Sequence, residues 1–159
     1  MAGSSTTFPD VFQAAARLAG IDTGAAVHVA TGFDPRARLT AVRPDAFGRR
    51  HVAIAEMDRV EVRLARSPAA KGSEWLPPSG GRYAAYQVAN GQLRRLPVGS
   101  SFDPSRGTLY WQPGVGYVGD YEFVVVDETR RDAKRLTRVV VSVGKTAAPA
   151  FASRTRATN

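Results

Sequence analysis

The stretch that decides the fold is SFDPSRGTLYWQPGVGYVGDYEFVVVDE, residues 101–128, which sets turn chemistry directly against strand chemistry. Asp103, Pro104 and Ser105 open a turn: Pro104 presets φ, and Gly107 closes it at a position suited to positive φ. Residues 108–112 read as a strand that Pro113 ends, because proline cannot donate to a ladder. Gly114, Gly116 and Gly119 make a corner. Beyond it Tyr121, Phe123 and Val125 alternate with Glu122, Val124 and Val126. The far end of that run is apolar on both faces, which predicts a central strand.

Working outward, Asn90-Gly91 lies between the apolar-bearing runs of YAAYQVANGQLRRLPVG, residues 83–99. A type I′ turn needs positive φ at both central residues, so this pair predicts a two-residue hairpin. Further upstream the period is also two. Val27 and Val29 share one face, as do Val52 and Ile54, and Val60, Val62 and Leu64 alternate with Arg59, Glu61 and Arg63. Leu39 and Ala41 begin a shorter run, with Val42 out of phase, that Pro44 stops. Residues 56–58 break the phase and read as a turn or bulge. A last run, RLTRVVVSV, reaches about residue 143.

Many short strands with turn signals and no intervening helices predict an all-β antiparallel sandwich over residues 25–143, a small barrel being the alternative. Before it, residues 1–24 carry a short helical pattern: Asp10 is a cap, Val11, Phe12, Ala15, Ala16 and Leu18 share a face, and Gly20 is a stop. Residues 67–81 are a loop by composition. Residues 144–159 are expected to be a disordered basic tail.

The chain of 159 residues is 43% hydrophobic and 23% charged, ordinary values for a globular domain able to bury a core. It has no cysteine, so disulfides, thiolate metal sites and cysteine nucleophiles are excluded. The net charge of +8 favours an acidic partner such as nucleic acid, an anionic glycan or a membrane surface. The arginine pairs at 49–50, 94–95 and 130–131 are dispersed, however, and no polybasic arm argues for nucleic acid. No apolar run approaches the ~20 residues of a membrane span. The N-terminus lacks the basic and apolar regions of a signal peptide.

Residues 82–143 resemble bacterial immunoglobulin-like and cadherin-like (dystroglycan-type) domains. The resemblance rests on Leu96, Pro97, Phe102, Asp103, Pro104, Gly107, Thr108, Leu109, Trp111, Pro113, Gly119, Tyr121 and Asp127, in order and spacing. It implies an immunoglobulin-like sandwich and a noncatalytic module of an exported or cell-envelope protein, working in spacing, adhesion or carbohydrate binding. Glycan or another domain of a larger surface protein would then be the partner. The motif residues of that family are structural. The acidic linker clusters that bind calcium in true cadherins are missing, so no calcium is expected.

Candidate chemistry is sparse. His28 lies between Val27 and Val29, and His51 precedes Val52, so both should point away from the face those valines bury. If they converged with Glu56 or Asp58 they could form a metal or acid–base site, which makes His51, Glu56 and Asp58 the candidates for a small hydrolase. Ser100 and Ser101 lack a Gly-x-Ser-x-Gly elbow. No phosphate loop or dinucleotide fingerprint is present, and no cofactor is expected. Trp75, in the 67–81 loop, is the candidate ligand-binding aromatic: it either stacks on a sugar ring or plugs one end of the sandwich. Tyr83 and Tyr86 face opposite sides of a strand and cannot share a platform. A basic surface that binds polyanions is the third reading. Nothing in the sequence sets an oligomeric state.

Overall fold

The computed structural model describes residues 20–64, 83–127 and 135–145. Among these residues there is no helix, and ten strands form two five-stranded sheets. The expected helix after Asp10, the 67–81 loop with Trp75, and residues 146–159 of the tail lie outside the described residues.

The first sheet has the order β2 (Thr40–Val42), β1 (Val27–Thr31), β4 (Val60–Leu64), β8 (Thr108–Trp111), β7 (Ser100–Asp103), and every pairing in it is antiparallel. The second has the order β3 (Arg49–Ala55), β10 (Arg135–Gly144), β9 (Gly119–Asp127), β5 (Tyr83–Ala89), β6 (Gln92–Arg94). Here the expectation of a wholly antiparallel fold is corrected, because β3 runs parallel to β10, with Arg138 opposite Arg49 and Gly144 opposite Ala55. The edge of β10 left open below β3 is taken by residues 20–22. Ile21 bridges Leu136 in parallel, and the Asp22 N–H donates to the Leu136 carbonyl at 2.9 Å. The chain thus lies along β10 twice, crossing to the first sheet and back in between. The last strand continues to Gly144, one residue into the stretch assigned to the tail.

Period-two alternation turns one side of each sheet onto a common core. Val27, Val29, Val60, Val62, Leu109 and Trp111 come from the first sheet, and Val52, Ile54, Phe123, Val139, Val141 and Val143 from the second. This is sandwich-type packing, in which each fully buried aliphatic side chain contributes about 1.5–3 kcal/mol. Trp111 anchors it, with Tyr121 at 4.9 Å and Phe123 at 5.2 Å edge-on to its indole, whose Nε1–H donates to the Val98 carbonyl at 3.2 Å. The central position expected of β9 is found, between β10 and β5. Its outward residues Val124 and Val126 form a second, smaller cluster with Leu136, against which Tyr86, Val88 and Leu93 pack.

The turns follow their residues. Asn90 and Gly91 take φ of 53° and 71°, the I′ geometry, between paired Ala89 and Gln92. Asp103 accepts from the backbone N–H groups of Ser105 and Arg106, and Gly107 has φ of 62°.

Candidate functional site

The residues nominated for chemistry are strand and turn residues. His28 is opposite Ala41 and Arg63 in the first sheet, and His51 opposite Val140 in the second. His28 lies between buried Val27 and Val29, and His51 between buried Arg50 and Val52, so the two imidazoles stand on opposite outer faces and do not converge. His51 instead meets Asp45, its Nε2 lying 2.9 Å from Oδ2 on an exposed surface. The same carboxylate accepts from the Phe47 and Arg49 N–H groups. The bond to His51 and those backbone donors hold the Asp45 carboxyl down from 3.8 to about 2.

Glu56 and Asp58 sit where β3 turns into β4. Glu56 accepts from the Gly116 N–H at 3.2 Å, and Asp58 from the Arg59 N–H at 2.9 Å. The expected turn is there, with Met57 at a φ of 66°. Among the described residues, no three histidine or acidic side chains are gathered closely enough to hold a metal ion.

What the topology assembles instead is an end of the molecule. The connections 32–39, 56–59, 97–99 and 112–118 all emerge where β1, β4 and β8 carry Thr31, Val60 and Trp111 side by side. Hydrogen bonds tie these loops together. Gly32 N–H donates to Arg59 O at 2.7 Å, Met57 N–H to Pro113 O at 3.1 Å, and Gln112 N–H to Gly99 O at 3.0 Å. Gly99 is required there: its φ is 83°, and a Cβ would run into the Gln112 carbonyl oxygen. An open groove between them is lined by Arg59, Gly99, Ser101, Tyr110, Trp111 and Gln112, with the Arg59 guanidinium 5.2 Å from the Tyr110 ring centre.

Six of the eight exposed large apolar side chains among the described residues lie in these loops: Phe33, Leu39, Met57, Val98, Val115 and Val118. Val98 is 82% and Val115 79% exposed. The sequence signal was available but slight, being lone apolar residues inside the Gly- and Pro-bearing turns LPVG and PGVGYVG.

Also missed was Arg50. It follows the inward phase of Val52 and Ile54 and is wholly buried. Its guanidinium donates to the carbonyls of Asp22, Gly48 and Ala25 and pairs with Asp22 at 3.2 Å. Burial acts to raise the Asp22 carboxyl. The N–H groups of Ala25 and Gly24, with Arg50 and Arg135, outweigh it and hold the group below its ordinary value.

No known family model matches the chain, and no curated protein matches it. Solved structures of similar outline include a nucleoside hydrolase-related hypothetical protein from Saccharophagus degradans associated with carbohydrate metabolism. It is 14% identical at a TM-score of 0.35, over 74% of this chain and 26% of that one. Another is the complex of titin with an obscurin-like 1 Ig domain, 13% identical at a TM-score of 0.35, over 77% of this chain and 99% of that one. This chain therefore spans about a quarter of the Saccharophagus protein. Among the described residues no helix is long and apolar enough to cross a membrane.

Proposed function

We propose that this chain is a noncatalytic immunoglobulin-like module of an exported or cell-envelope bacterial protein, working through its surface as a spacer or binding domain. One observation carries the reading: the groups capable of chemistry are committed to shape. Asp45, Asp58 and Asp103 each accept bonds from backbone N–H groups of their own turns, Glu56 accepts from the Gly116 N–H of the 112–118 connection, and Asp22 and Arg50 clasp the start of the domain onto β3. Among the described residues, the exposed large apolar side chains are concentrated at one end. Glycan and a neighbouring domain are the partners the family resemblance suggests.

A panel of chromogenic esters, phosphoesters and glycosides tests the reading. No turnover above background is expected. Turnover that vanishes in a folded His51→Ala variant overturns it in favour of a hydrolase at His51, Glu56 and Asp58.

A further inference from the structure

We propose that the outer face of the second sheet is a docking surface for an amphipathic helix, and that its occupant is this chain's own segment 10–19. The segment, read as a helix from its sequence, would cross β9 and β5 with its apolar stripe on the sheet.

The first observation is burial on the side away from the core. Phe123, Val139 and Val141 point between the two sheets, so Val124, Val126 and Leu136 point outward. The outer face of an antiparallel sheet commonly meets water and carries polar residues. These three side chains are only 0%, 2% and 2% exposed. The described side chains packed against them, Tyr86, Val88 and Leu93, belong to the same sheet. Neighbours within one sheet stand side by side and leave the top of a valine open, so exposure this low requires a layer above. Towards the other end the face is ordinary, with Arg138 donating to Glu122 at 2.6 Å and the Ser142 hydroxyl to Asp120 at 2.6 Å.

The second observation is where the chain enters. Ile21 bridges Leu136, and the Leu136 N–H donates to the Gly20 carbonyl at 3.4 Å. The residues before Gly20 therefore begin at the edge of the apolar patch itself. From β10 to β6 the patch crosses three strand spacings. That is about 14 Å, and ten residues of helix measure about 15 Å.

The third is pattern. On a helical projection Val11, Phe12, Ala15, Ala16 and Leu18 fall on one side, and Asp10, Gln13 and Arg17 on the other. A helix this short gains too little to stand alone and needs a surface to pack on. The other segments that could reach the patch lack such a stripe. Residues 128–134 are charged at five of seven positions, and residues 65–82 offer Trp75 and Leu76 followed directly by Pro77 and Pro78.

The test is paramagnetic relaxation in the full chain, whose lack of cysteine makes Gln13→Cys the single attachment point for a nitroxide. Gln13 is on the polar side, so the label leaves the stripe intact. Amide signals of β5 and β6 should broaden, while those of β1 and β2 in the other sheet stay sharp. Signals of β5 and β6 left sharp overturn the proposal. Broadening carried between chains, seen when nitroxide-bearing chains are mixed with isotopically labelled chains lacking the nitroxide, assigns the face to a second copy and overturns it too. Val11→Asp with Phe12→Asp should uncover the patch, raising anilinonaphthalene sulfonate fluorescence at least about threefold and lowering the melting temperature. Unchanged dye binding means that another segment covers the patch, and the assignment to 10–19 falls. The inference does not rest on the noncatalytic reading above, and turnover lost in His51→Ala would leave it standing.

Discussion

Arg50 carries more of this fold than any residue of its type ordinarily does. A guanidinium with no exposure, satisfied by three carbonyls and one carboxylate, is stable only while all its partners stay in place. Arg50→Ala leaves Asp22 half of a buried pair, so unfolding in urea should show a loss of about 3–5 kcal/mol. Asp22 gives the pH counterpart. Its folded pKa is depressed, so its contribution is complete above the unfolded value of 3.8 and disappears as pH falls through the lower folded value. Asp45, held at about 2, follows the same sign on an exposed surface. Stability should therefore decline between pH 4 and about 2, and Asp22→Asn should be less stable at neutral pH with a shallower decline over that window. An unchanged slope in acid titration would remove Asp22 from the clasp.

Among the elements, the β5–β6 hairpin is the one whose geometry was written most plainly, since Asn90-Gly91 admits few other conformations. A Cβ at Gly91 would meet nothing within 4 Å, so Gly91→Ala isolates the backbone cost of a φ of 71°. About 1–2 kcal/mol should be lost in denaturant titration, with the fold retained. The strand β9 was legible in the same way, because apolar residues on both faces of its far half fit only an interior position. Strand β3 was legible as a strand and illegible in its pairing. Its alternation states which side chains go inward, and nothing local says that its partner is β10, some ninety residues on, or that they run parallel. The histidines illustrate the same limit. Each was correctly oriented away from the core, yet whether they met depended on which sheet each strand joined.

At the scale of the whole molecule, one tryptophan joins the two sheets. Trp111 extends from β8 onto Phe123 and Tyr121 of β9, with its N–H on the Val98 carbonyl of a loop. Trp111→Ala should cost about 3–5 kcal/mol, read as a lower thermal midpoint, and should loosen the loop end along with the core. A midpoint shift near zero would contradict its burial. Turn types, the phases of the longer strands with most of their core-facing residues, and the absence of thiol chemistry were determined by the sequence alone, because each depends on neighbours within a few positions or on composition. In the short β2 the expected phase of Leu39 and Ala41 is reversed, since both are exposed and Val42 packs on the core. The parallel return of β3 along β10, the burial of Arg50 against Asp22, and the gathering of Phe33, Met57, Val98 and Val115 at one end were decided only by the tertiary structure. Those features join residues far apart in the chain. No periodicity encodes such contacts, which form only when two faces that were merely apolar are packed in one particular order.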